Sequence, residues 1–102
     1  MPTIARWPGR IAPGTHSDHI SAFWDVLPTA AELAGTSDLP DGIDGISFVP
    51  TLLDEPDRQK KHDYLYWEFY ERWGRRAALF GDDIKAVQLD VATAQDGPVE
   101  IW

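Results

Sequence analysis

The chain has 102 residues, with 17 Asp and Glu against 9 Lys and Arg and a net charge of -8. That length holds one domain at most, burying roughly two-thirds of the surface its unfolded form exposes. The acidic balance argues against nucleic acid and anionic membranes, which offer no counter-charge. The absence of Cys removes disulfides, thiolate metal sites and cysteine nucleophiles together.

The stretch IARWPGRIAPGT opens the chain. Ile4 to Trp7 suits a pleated surface, and Pro8-Gly9 and Pro13-Gly14 then punctuate it twice. Met1-Pro2-Thr3 leads straight into this strand-like segment, so no signal peptide is visible. No apolar run reaches the ~20 residues of a membrane span. The compartment stays open.

A helix is expected next. Pro28 belongs in a first turn, which places the N-cap near Asp25, whose carboxylate can accept from a backbone N–H two or three positions on. Val26, Leu27, Ala30, Ala31, Leu33 and Ala34 give an apolar face, and Gly35 stops the helix. Residues 36–47 read as loop with two Asp-Gly turns. Phe48 to Leu53 suits one helical turn with Pro50 near its start, and residues 54–62 form a solvated charged linker.

Antiparallel sheet follows. Tyr64 to Tyr70 reads as a first strand, Glu71 to Arg75 as its turn, and Arg76 to Phe80 as a second strand. Ile84 to Leu89 is a third, and Val99 to Trp102 a fourth in which the chain stops. Alternation puts Tyr64, Tyr66, Glu68 and Tyr70 on one side and Leu65, Trp67, Phe69 and Glu71 on the other. The Leu-Trp-Phe side reads as core, which leaves the Tyr-Glu side for a cleft or solvent. A chain that opens and closes inside strands is either part of a larger sheet or a small α+β domain with both strands at its edges.

Candidate chemistry is sparse. His16, Asp18 and His19 cluster in a turn-rich segment without a second ligand pair at metal-site spacing. Asp38, Asp41 and Asp44 recur every third residue, which is not the spacing of an EF-hand loop, and they read as turn formers. Glu68 and Glu71 point to opposite faces of one strand and cannot flank one glycosidic bond. No serine sits in a nucleophile elbow and no glycine-rich phosphate loop occurs. No catalytic centre and no metal site is therefore expected in this chain.

Five stretches in order resemble sulfatases of the arylsulfatase type, in the alkaline-phosphatase-like superfamily. They are Pro2 to Gly9 ("P-x-I-x-x-W-P-G"), Asp25 to Gly35 ("D-x-x-P-T-x-x-x-L-A-G"), Asp44 to Leu52 ("D-G-x-S-x-x-P-x-L"), Tyr66 to Glu68 ("Y-W-E") and Gly81 to Lys85. The last departs from the family's "G-D-x-K" by one extra residue, and Tyr70 stands where a His often follows "Y-W-E".

The resemblance implies an α/β fragment. Residues 1–53 would be the end of the catalytic α/β domain, giving an inner strand and a covering helix of a large mixed sheet. Residues 54–63 would be the charged linker, and 64–102 a truncated antiparallel C-terminal subdomain. The neighbours of the inner strand would belong to a missing N-terminal part. The parent enzyme would hydrolyse a sulfate ester, aryl or carbohydrate, with calcium and a formylglycine made from a Cys/Ser-x-Pro-x-Arg motif.

This chain has no Asn and no serine followed by Pro and Arg at those offsets, so nothing catalytic carries over and the chain alone is expected to be inactive. The substrate-binding candidates implied by the resemblance are Tyr66, Trp67, Glu68 and Tyr70. Two other readings fit the same residues: an autonomous acidic α+β carbohydrate-binding module using Tyr64, Tyr66 and Glu68, and a fragment of a related phosphodiesterase or phosphonate hydrolase.

Overall fold

The structure, a computed structural model, describes residues 2–94 and 96–102. The chain divides into two compact units, residues 1–61 and 62–102.

The first unit is built on helix α1, Val26–Ala34, entered through a single 3-10 turn at Phe23–Asp25. Its start departs from a simple cap. The Asp25 carboxylate does not cap α1. One oxygen accepts the N–H of Ala22, at 2.7 Å, and the other accepts that of Ile46, at 2.8 Å. A long-range donor competes successfully for the carboxylate, so Asp25 ties a loop to the helix. The C-terminus ends as glycine predicts. Gly35 is left-handed at φ 73°, its N–H reaches the Glu32 carbonyl, and the N–H of Thr36 reaches that of Ala31.

The buried face of α1 is also not the expected one. Pro28, Thr29 and Ala31 are buried, while Val26, Leu27, Ala30, Leu33 and Ala34 are exposed. The reason is local. The Thr29 hydroxyl donates to the Asp25 carbonyl at 2.6 Å and accepts the N–H of Phe48 at 3.1 Å. This draws the returning loop onto the polar side of the helix. Gly45 lies so close that a Cβ there would meet Pro28 Cγ at 2.9 Å and run into the Trp24 carbonyl.

Helix α2, Val49–Leu52, is the expected single turn with Pro50 near its start. Val49 and Pro50 are buried. The segment read as a solvated linker is more structured than its charges suggest. Pro56–Arg58 forms a 3-10 turn, with Arg58 paired to Glu55. Gln59 then accepts from the N–H and hydroxyl of Thr51, at 3.0 and 2.6 Å, and donates to the Ser47 carbonyl at 2.9 Å. One amide thus latches the segment to α2, a role that composition does not reveal.

Residues 4–7, read as a strand, carry no regular structure. Ile4 is 93% exposed. A strand is defined by its ladder, and this segment meets no paired edge. Only its exit is organised. The N–H groups of Arg10 and Ile11 both reach the Trp7 carbonyl, with Gly9 at φ 81°. Pro8 and Gly9 hold the two central positions that a type II turn gives them. The Arg10 guanidinium lies 5.5 Å from the centre of the Trp7 ring.

The second unit is a four-stranded antiparallel meander in the order β1-β2-β3-β4. Its strands are β1 (Tyr64–Phe69), β2 (Arg75–Phe80), β3 (Ile84–Leu89) and β4 (Val99–Ile101). The four expected strands are present, with Arg75 joining β2 rather than the turn. The β3–β4 connection folds back on the first hairpin: the N–H of Ala92 donates to the Trp73 carbonyl at 2.9 Å. Val91 is fully buried there and Leu65 nearly so. The other residues read as core are less enclosed. Trp67 is half-buried, and Phe69 is 55% exposed at the hairpin end of β1. There its cross-strand partner is Arg75, whose charged head favours water.

Candidate substrate-binding face

Register places the polar residues of the first hairpin together. Glu68 on β1 stands opposite Arg76 on β2, and Arg76 stands opposite Gln88 on β3. The Arg76 Nε donates to Glu68 Oε1 at 2.7 Å. The Tyr70 hydroxyl donates to the same oxygen, also at 2.7 Å. Tyr66 lies on this face two residues before Glu68. Both charged side chains keep about a third of their surface in water, 28% for Glu68 and 32% for Arg76.

The electrostatics follow from this convergence. Hydrogen bonds from Tyr70 and Arg76 hold the Glu68 carboxyl below its ordinary range. The bond to Glu68 in turn raises Arg76. Partial desolvation, then the hydrogen bond to Glu68 and its negative charge, pushes the Tyr66 phenol up. At neutral pH the face therefore carries a closed ion pair beside the neutral Tyr66 phenol. It offers hydrogen-bond donors and acceptors with little net charge.

Of the four residues singled out from the sequence, Tyr66, Glu68 and Tyr70 come together. Trp67 faces the other side of the sheet and takes no part in this cluster. Arg76 was missed. Its place opposite Glu68 is set by the length of the 70–74 turn, and counting back from that turn was the available signal.

The other candidates do not assemble. His16 and Asp18 are exposed, and the N–H of His19 is held by the Ser17 hydroxyl at 3.1 Å. Asp38, Asp41 and Asp44 are exposed, with the Asp38 N–H bonded to the Thr36 hydroxyl. Among the described residues no three His, Asp or Glu side chains converge as a metal site. None of the helices among the described residues is long and apolar enough to cross a membrane.

The model of the family "N-sulphoglucosamine sulphohydrolase, C-terminal" matches residues 1–86. The chain belongs to this family and corresponds to a C-terminal part of a sulfatase. It is 46% identical over 52 residues to the ulvan-active sulfatase of Formosa agariphila, covering 51% of this chain and 10% of that protein. It is 38% identical over 68 residues to the steryl-sulfatase of Rattus norvegicus, covering 65% of this chain and 11% of that protein. With arylsulfatase A of Bos taurus it shares 39% identity over 70 residues, 68% of this chain and 13% of that protein. The chain thus spans about a tenth of the length of these relatives.

Proposed function

We propose that these 102 residues serve a hydrolase of sulfate esters, aryl or carbohydrate, whose nucleophile and metal ligands lie outside them. The observation that carries this is the family match over residues 1–86 in a chain a tenth of its relatives' length. Calcium and a formylglycine, which the family implies, do not fit the residues present. There is no Cys, no Asn and no Cys/Ser-x-Pro-x-Arg motif, and no three His, Asp or Glu side chains converge as a metal site among the described residues.

In this reading residues 2–9 are an inner strand that lacks its sheet, and α1 covers that sheet. The exposed Ile4 and the uncovered apolar flank of α1 support it. Residues 64–102 are the C-terminal subdomain. The Tyr66, Glu68 and Tyr70 face is its substrate side, supported by exposed aromatic rings beside a satisfied polar cluster.

The test is an assay of the purified chain with calcium and an aryl sulfate, together with the DNA sequence immediately upstream. The expected results are no turnover and an in-frame Cys/Ser-x-Pro-x-Arg codon run. Turnover by the chain alone overturns the reading.

A further inference from the structure

The face that carries Glu68 has a shape as well as a chemistry. Three cross-strand rows lie side by side on it. Tyr64, Phe80 and Ile84 form one row, and Glu68, Arg76 and Gln88 another. Between them runs a row floored by Ala78 and Ala86, with Tyr66 at its end. Alanines between long side chains make a trough. Its walls rise from positions four residues apart, about 13 Å along the strands.

The walls differ. One is apolar: Phe80 and Ile84 are about half exposed, and the Tyr64 and Phe80 ring centres are 6.2 Å apart. The other is the Glu68–Arg76 pair, since Gln88, the third residue of that row, is buried and its amide donates to the Gly97 carbonyl. A ligand that fills such a trough must present carbon to one side and hydroxyls to the other.

We propose that this trough binds an uncharged, hydroxyl-bearing stretch of an oligosaccharide, with the Glu68–Arg76 pair reading its hydroxyls. The inference rests on the reading of this face as the substrate side. A sugar ring has an apolar C–H face and a polar rim, which matches the two walls. A sulfate or carboxylate gains little here, because Glu68 already neutralises Arg76 and the chain carries a net charge of -8. A rigid apolar ligand such as a steroid would cover the polar row without supplying partners, which costs free energy.

The test is titration of the full 102-residue chain, followed by ligand-detected NMR, with three probes. These are a set of neutral oligosaccharides, their sulfated counterparts and a steroid sulfate. Saturable binding of a neutral oligosaccharide is expected, within about threefold of its sulfated counterpart and roughly tenfold tighter than the steroid sulfate. Ala78→Val improves strand propensity while filling the floor, and is expected to weaken saccharide binding roughly tenfold. Arg76→Lys keeps the charge but loses the planar fork, and should weaken it several-fold.

No saccharide binding, binding that requires sulfate, tighter binding of the steroid, or undiminished binding by Ala78→Val each overturns the proposal. Hydrolysis is not measured, so a missing upstream nucleophile would defeat the sulfatase reading and leave this result standing.

Discussion

The buried carboxylate of Asp25 accepts the backbone N–H of Ile46, 21 residues further along the chain, at 2.8 Å. The same side chain holds the N–H of Ala22 at 2.7 Å. Two charge-assisted bonds from one fully buried group join the entry of α1 to the loop that packs on it. Asp25→Asn keeps the size but turns one acceptor into a donor facing an N–H. A loss of about 2–4 kcal/mol is expected in the first unit. Urea unfolding measures the loss, and faster hydrogen exchange of the Ile46 amide locates it. Unchanged exchange at Ile46 would show that the carboxylate carries no such load.

Gly74 and Gly81 both sit at positive φ, 73° and 57°, yet they should respond differently to alanine. A Cβ on Gly74 would come within 2.9 Å of Val91 Cγ2 and 3.1 Å of the Ala92 nitrogen. A Cβ on Gly81 would meet nothing within 4 Å. Gly81→Ala therefore carries backbone strain alone, about 1 kcal/mol. Gly74→Ala adds a clash against a fully buried Val91 and should cost about 2–4 kcal/mol. Thermal melts of the two variants test the difference, and equal costs would contradict the packing of the 90–94 turn on the first hairpin.

How far the sequence could be read depended on the range of the interactions. The meander was legible because strand alternation and glycine turns are local, and β1 through β4 lie where those signals put them. The end of α1 was legible for the same reason, since Gly35 acts within its own helix. Asp25 stands at the N-cap as read, but its carboxylate is taken by a donor 21 positions away rather than by the helix. The side of α1 that is buried in this chain was not legible, because Thr29, a polar residue, recruits the Phe48 backbone and brings the loop to its own side. Ile4 to Trp7 stays unpaired in this chain because strand propensity states only what a segment would do beside a paired edge. At the candidate site, Tyr66 and Glu68 followed from alternation along one strand. Arg76 required the register between two strands, which a single strand does not contain.

The Glu68 cluster gives the sheet a pH dependence of defined sign. Its carboxyl is held below its ordinary value of 4.5 by Tyr70 and then Arg76. A depressed folded-state pKa contributes stability that is fully present above the unfolded value and is lost as pH falls through the folded one. The wild-type chain should therefore lose more stability than Glu68→Gln between neutral pH and the region below 4.5. The difference between the two chains in urea midpoint, measured across that interval, isolates this carboxyl from the others. The side chains are partly in water, so the effect is modest and should shrink with added salt. A Glu68→Gln chain with the same acid sensitivity as wild type would show the pair to be inert.

The exposed flank of α1 separates a helix that needs a sheet from one that does not. Val26, Leu27, Ala30, Leu33 and Ala34 fall on one side at helical spacing, and Leu27 and Leu33 are each about half exposed. Nothing among the described residues of the first unit buries them, so Leu27→Lys and Leu33→Lys should shift stability by no more than about 0.5 kcal/mol. The same two changes should lower the fluorescence of an apolar dye bound to the chain, because they remove part of one contiguous apolar surface. Placed in a longer protein that supplies the covered sheet, each should instead cost at least about 3 kcal/mol, the transfer free energy of a buried leucine plus that of desolvating the lysine. Identical small costs in both settings would mean that the flank faces water in the whole protein too, and that α1 covers no sheet.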